Sequence, residues 1–461
     1  MAKPTRLLQT PTQSRGDNPY LQGNFAPLES EVESGDLWVE GVIPPDLEGY
    51  LLRTGPNPPI VKDPDTYHWF AGDGMVHGIS LRDGKAVGHR SRYVRTRLLA
   101  SELGTRAPAG PPEAINGPAN THIIHHAGRL LALCESGLPH RLDTDLSTVC
   151  IEDFDGSLAV PMTAHPHRDP VTGALCAFGY DPFGPPFLWT YEIDASGILS
   201  QSRAVELERA VMIHDAPVTQ SRMVIFDFGI VFDLELVAKN LPIPYRWDGE
   251  HPFRLGIVSR YKPEDDVIWI PVDPCFAFHV MGAFDDGDDI LVDLVVYDQS
   301  FDLGSGGRLG SGLPRLERWR IDPLARRLHR EVIEDRPDAF PRIDEARETL
   351  PYRFGYAAEI NPALEGGEQF SGLLKFDRQR SEVEAFSPPA HMSLGEPVFV
   401  RAEDGKSDEE GWILTMGYDS TRDASDLYIL DASRFTSKPE AVIHLPGRVP
   451  YGFHGSFVRT N

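Results

Sequence analysis

The sequence predicts an all-β fold built as a propeller, and three observations predict it. Short apolar runs, each introduced by turn residues, recur from about residue 37 to the end of the chain, and runs of four to eight such residues read as strands. The strongest runs begin 45 to 67 residues apart, the interval at which one four-stranded blade follows another. The chain holds 42 Gly and 40 Pro in 461 residues, a composition that suits many turns and few long helices.

Taken in order, residues 1–25 are polar and aperiodic and are expected to form an irregular N-terminal arm, with residues 26–461 forming a single propeller domain. The strong runs are GRLLALCESG from Gly128, GALCAFGYDP from Gly173, SRMVIFDFGI from Ser221, DDILVDLVVYD from Asp288, YRFGYAAEI from Tyr352 and GWILTMGYDS from Gly411. Each is read as the inner strand of a blade. Weaker, more polar strands such as LERWRID from Leu316 and LYILD from Leu427 lie between them. Residues 233–241 (DLELVAKNL) form the best short helix candidate, within a long insertion. The Pro-rich 107–119, Gly-rich 303–313 and acidic 403–410 read as loops.

The formal net charge is -25 and the pI about 5.0. Nucleic acid is therefore excluded as a partner, because no excess of Lys and Arg exists to displace counterions. The four cysteines, Cys134, Cys150, Cys176 and Cys275, form no CxxC pair. They fit free thiols in a reducing cytoplasm better than a disulfide framework. The first residues, MAKPTRLLQTPTQSRG, have no long apolar core, so no signal peptide is expected. No apolar run is long enough to span a membrane. The expected location is cytoplasmic, with peripheral membrane contact open to a local apolar patch.

Of the sixteen histidines, four stand apart by their company. His165 lies in TAHPHRDP, His214 in MIHDAP, His279 in FAFHVMG and His454 in YGFHGSF. Each begins or ends an apolar stretch, at a different point of the strand rhythm. The inner strands of a propeller surround an axial channel, so one histidine from each of four blades can meet there around a metal ion. On a strand His122 and His126 share a face and His125 points away; a ligand role and an ordinary turn explain NTHIIHHAG equally well. His68 and His77 flank the Gly-rich bend WFAGDGMV. No HExxH and no closely spaced His/carboxylate triad occurs, so the usual zinc-protease and facial-triad signatures are missing.

Ten stretches, in order, resemble the carotenoid cleavage oxygenase family: LEGYLLRTGPNP, HWFAGDGMVHGI, GPANTH, LLALCESGLP, TAHPHRDPVTG, MIHDAPVT, FAFHVMGAFDDGD, AFPRID, GEPVFV and YGFHGSFV. The likeness runs from about residue 36 to 458. It implies a seven-bladed β-propeller with a dome of loops and short helices over the metal face. It also implies one Fe(II) per chain held by His165, His214, His279 and His454, with O2 as co-substrate, and oxidative cleavage of a C=C bond to two carbonyl products. By motif, Glu135 (ALCESG) is expected behind His214 and Glu396 (GEPVF) behind His454, each accepting a hydrogen bond from the distal ring nitrogen. The family commonly carries a third glutamate just before FPRI, where this chain has Ala339. His279 then lacks a carboxylate partner unless Asp338 or a water replaces it. Four neutral imidazoles suit a borderline divalent metal, and a carboxylate behind a ligand fixes its tautomer and ring angle.

Within that family, stilbene cleavers commonly carry a lysine immediately before the first of these glutamates and a tyrosine shortly upstream. This chain has Cys134 at that position and no Tyr between residues 97 and 115. A thiol does not replace an ammonium facing a phenolate, so a small apolar polyene, a carotenoid or apocarotenoid, is the expected substrate. Its tunnel is expected to be lined by Trp69, Phe70, Phe276, Phe278 and Phe453, residues whose ordinary alternative is core packing. The segment 229–246 is rich in Leu, Ile and Val outside the strand rhythm and is expected to meet membrane-dissolved substrate. No obligate protein partner is inferred. The alternatives are a stilbene-cleaving dioxygenase, an O2-independent isomerase of the same family, a zinc-dependent propeller hydrolase, and a non-catalytic propeller that binds a partner.

Overall fold

The computed structural model describes residues 5–9, 17–113, 117–135, 137–158, 160–299, 313–361 and 370–460. Among these residues, seven sheets of three to six strands are the blades of a seven-bladed β-propeller, with one two-stranded ribbon besides. Helix is confined to short pieces such as Arg97–Glu102 and Leu234–Ala238. The second lies within the segment expected to be helical, capped by Asp233, whose carboxylate accepts from the Glu235 N–H at 2.8 Å. The Pro-rich and acidic loops are irregular where described, and the Gly-rich 303–313 lies, but for its last residue, outside the described residues.

The chain divides into two compact units. The first comprises Met1–Gly156, Gln369–Lys375 and Glu384–Asn461. Here both chain ends share sheets. Gly455–Arg459 pairs antiparallel with Gly49–Pro56, which continues into Gly74–Arg82, Lys85–Tyr93 and Ser30–Ser34. Thr5–Gln9, within the segment expected to be an irregular arm, adds a strand beside Ser30–Ser34. Trp38–Gly41 pairs with Ala441–His444 at the edge of another six-stranded sheet. A third sheet runs from Thr148–Ile151 to His122–His126. On His122–His126, His122 and His126 are buried and His125 is half-buried, the alternation expected of a strand.

The second unit comprises Ser157–Glu368 and Phe376–Val383. Four sheets begin within it, in order, with His167–Arg168, Arg222–Asp227, Phe276–Asp286 and Asp338–Ile343. The two-stranded ribbon joins Ile230–Phe232 to Tyr245–Trp247. All six strong apolar runs are strands, but only Arg222–Asp227 ends its sheet; the others are second in order. The expectation that they are innermost is corrected on this point, for a physical reason. A second strand has ladder partners on both sides and packed side chains on both faces, so it tolerates the most continuous apolar sequence. Asp289–Tyr297 shows this: Ile290, Val292, Leu294, Val295 and Val296 are all fully buried, several of them against Trp319 and Ile321 of the next strand. Each such side chain contributes about 1.5–3 kcal/mol.

Candidate metal centre

Each of the four singled-out histidines lies on, or just before, a strand that ends its sheet. His165 immediately precedes the His167–Arg168 edge; its N–H donates to Thr163 Oγ1 at 2.9 Å. Thr163 is itself fixed by its N–H to Phe178 O at 2.7 Å. His214 lies in the connection before Arg222–Asp227, where Met212 N–H donates to Ile230 O at 2.8 Å. His279 lies within Phe276–Asp286, and the ladder to Asp289–Tyr297 slips across it and again just beyond Val280: Ala277 faces Val296, Val280 faces Leu294 and Gly282 faces Asp293. Such a bulge re-aims a side chain and frees a backbone group from the ladder.

The rings of His165 and His214 are 4.4 Å apart by centroid, those of His165 and His279 5.2 Å, and those of His214 and His279 5.0 Å. His214 Nε2 and His279 Nε2 approach to 3.3 Å. In the first unit, His454 is held by its backbone, donating to Thr121 O at 3.0 Å and accepting from the Thr54 N–H at 3.1 Å. Its Nδ1 is 2.8 Å from Glu396 Oε1, and Glu396 Oε2 accepts from the Gly455 N–H at 2.8 Å. One ligand atom from each of His165, His214, His279 and His454 lies within 4.8 Å of the others. All four residues are no more than 9% exposed.

This donor set fits a divalent metal. Two imidazole nitrogens bound to one ion at about 2.0–2.1 Å stand roughly 2.8–3.4 Å apart for angles between square and tetrahedral, and the 3.3 Å Nε2–Nε2 separation falls in that range. With Glu396 Oε1 against the His454 Nδ1, the ring's Nε2 is the nitrogen left to face a metal. Beside it, burial lowers the Arg53 guanidinium to about 10, while the Glu396 charge opposes that shift. Arg53 also donates to Gly452 O at 3.0 Å. Gly395 makes this packing feasible, since a Cβ there would meet the guanidinium at 2.8 Å.

Glu135 is half-buried just past strand Arg129–Leu133. Ala339 lies in strand Asp338–Ile343, whose ladder also slips between Ala339 and Arg342. Phe340 there adopts φ +52° and brings its ring to 5.6 Å from that of His279. Asp338 does not replace the missing glutamate. Both its oxygens are buried without a hydrogen bond, and burial holds its carboxyl well above the usual range.

The five aromatic residues expected in a tunnel fall into two groups. Phe278 stacks on His214 at 4.1 Å, with Phe276 edge-on to it at 5.5 Å. In the first unit Trp69 packs against Phe70, Phe453 and Phe25, and its Nε1 donates to Tyr451 O at 3.2 Å.

Three features escaped the sequence reading. Asp215, next to His214, is 2% exposed. Its Oδ1 lies 2.9 Å from His167 Nε2 and accepts from the Ala216 N–H at 2.7 Å; its Oδ2 accepts from the Val280 N–H at 2.8 Å. Burial pushes this carboxyl up, but His167 and the Val280 N–H more than offset it, so the net shift is downward. The other two are the Phe340 contact and the His122 ring, 5.3 Å from that of His454.

The profile of the family described as Retinal pigment epithelial membrane protein matches residues 25–459. A carotenoid cleavage oxygenase of Mycobacterium tuberculosis is 35% identical over 98% of this chain and all of its own length. Among solved structures, the lignostilbene dioxygenase of Pseudomonas brassicacearum superposes with a TM-score of 0.89 at 28% identity, over 97% of this chain and 100% of that one. The cobalt-substituted apocarotenoid oxygenase of Synechocystis superposes with a TM-score of 0.83 at 28% identity, over 94% of this chain and 97% of that one.

Proposed function

We propose a metal and a substrate class for this chain on one premise: the chain belongs to the carotenoid cleavage oxygenase family. It is an oxidative cleavage enzyme of the carotenoid and apocarotenoid type. The metal is Fe(II), one per chain, held by His165, His214, His279 and His454. The observation that carries this reading is the gathering of their four ligand atoms within 4.8 Å. Neutral imidazoles leave the ion its full charge, and when bound it supplies a place to activate O2 beside an alkene. The chain's own residues hold and aim that centre. Glu396 orients His454, Glu135 serves His214, and the Phe340 ring packs near His279.

The substrate is an extended apolar polyene. Phe276 and Phe278 present an aromatic wall next to the histidines, and Trp69, Phe70 and Phe453 form a second one. Such walls orient a long apolar molecule by shape and exclude water from the alkene. Cleavage yields two carbonyl products, and no acid–base side chain is required of the protein.

A stilbene-cleaving reading draws on the lignostilbene dioxygenase superposition. Position 134 favours the polyene. The Cys134 side chain is 2% exposed and is walled by two glycine backbones: a Cβ on Gly117 would meet its sulfur at 2.3 Å, and one on Gly137 at 2.9 Å. A group there binds no phenol. Supplying the iron-loaded protein with an apocarotenal and, separately, a hydroxystilbene under O2 tests the assignment. Aldehyde products from the apocarotenal alone are expected.

The protein works in a reducing compartment and touches a membrane only peripherally. Among the described residues no helix is long and apolar enough to cross one. The segment 229–246 supplies the contact: Leu234 is 68% and Val237 40% exposed, close in sequence to Phe232, which packs edge-on against the exposed Phe183.

A further inference from the structure

We propose that Asp215 is a positioning residue that sets the spacing of three metal-binding histidines. This rests on the reading that those histidines hold a metal. His165, His214 and His279 belong to connections or edges of three different sheets. No shared ladder therefore fixes the distance between them, and side-chain contacts must do so. Asp215 makes the central ones. It is covalently next to His214. Its Oδ1 reaches His167, two residues beyond His165, at 2.9 Å. Its Oδ2 takes the Val280 N–H, next to His279, at 2.8 Å. Those partners are 48 and 65 residues away in sequence.

The Val280 N–H is free for this bond because of the bulge around His279. The bulge and the carboxylate thus act together: one turns His279 out of the regular ladder, and the other pins the turned backbone to the His214 segment. Asp215 is not a ligand, since both its oxygens are engaged and it lies outside the four-histidine group. A second tie runs in parallel, Thr163 Oγ1 accepting from the His165 N–H at 2.9 Å and donating to His214 O at 3.5 Å. It joins only two of the three histidines. Outer carboxylates that orient a metal's ligands typically account for 10- to 100-fold in metal affinity. Here the carboxylate orients the ligands' backbones rather than their rings.

The test uses Co(II) as probe, titrated into the metal-free full-length protein, reading its visible absorption and its dissociation constant by chelator competition. Asp215→Asn presents an NH2 where one oxygen accepted, so it loses the bond from the Ala216 N–H or the one from the Val280 N–H, and in either case the negative charge facing His167. We expect its Co(II) affinity to fall by about tenfold or more, with a changed absorption band. Wild-type affinity and band in a folded Asp215→Asn would overturn the proposal. If that variant does not fold, His167→Gln, whose amide still reaches Asp215, is compared with His167→Phe. Weaker, spectrally altered binding in the Phe variant alone supports the tie, and equal binding in both overturns it. A wild-type protein that takes up no Co(II) overturns the underlying metal reading instead.

Discussion

The Glu396 carboxylate holds His454 by its ring and by the residue that follows it: its Oε1 lies 2.8 Å from the ring Nδ1, and its Oε2 accepts from the Gly455 N–H at 2.8 Å. Ring orientation and backbone position are thereby set by one side chain. Glu396→Gln keeps the shape and weakens one of the two bonds, so metal affinity should fall by about 10–100-fold with little loss of fold. Glu396→Ala should also cost stability, because the buried Arg53 loses a nearby opposite charge. Metal content after dialysis and thermal melts check both. Unchanged metal retention in both variants would contradict the role given to Glu396.

Cys134→Lys should not convert the protein to a hydroxystilbene cleaver. The Gly117 and Gly137 backbones crowd the sulfur, so a longer side chain has no direct path and costs about 1–3 kcal/mol in overpacking. Product analysis with both substrates, beside a melting curve, decides this. Efficient stilbene cleavage by the variant would show that position 134 does face the substrate.

The Leu234→Asp, Val237→Asp double variant should lose co-sedimentation with neutral phospholipid vesicles. It should still cleave a detergent-solubilised apocarotenal, because both side chains are exposed and distant in sequence from the histidines. Equal sedimentation of variant and wild type would remove this segment as the membrane contact.

Acid should destabilise the protein before its carboxylates titrate. Burial lowers His89 from 6.5 to about 4, and neither of its ring nitrogens has a hydrogen-bond partner. Its depressed folded value means the unfolded chain takes up the proton first. The stability it permits is complete above pH 6.5 and is lost as pH falls towards 4, roughly 3 kcal/mol across that window. His140, lowered to about 4 by burial, adds in the same direction. Melting temperatures between pH 7 and pH 4 should drop less for His89→Leu than for the wild type. Parallel curves would contradict the assignment.

Much of this was legible in the chain. The six apolar runs announced strands because side chains buried on both faces leave no polar alternation to hide them. The four histidines were found through their apolar neighbours and the family motifs, and Glu396 through GEPVF. Asp215 was not legible: an Asp after a His is ordinary, and its partners His167 and Val280 come near only after three sheets have formed. The bulges at His279 and Ala339 were hidden for a similar reason. Register slips arise from how two strands meet, and neither strand's own sequence records them. Ala339 could be read as a missing glutamate, whereas the approach of the Phe340 ring depends on a positive φ within such a slip.

The most direct measurement is iron stoichiometry under anaerobic Fe(II) loading, for the wild type and for single alanine variants of His165, His214, His279 and His454, each then assayed for O2-dependent apocarotenal cleavage. The account predicts one iron per chain in the wild type, with iron and cleavage falling together in every variant. Iron retained at full stoichiometry after these substitutions, or cleavage without it, would contradict it.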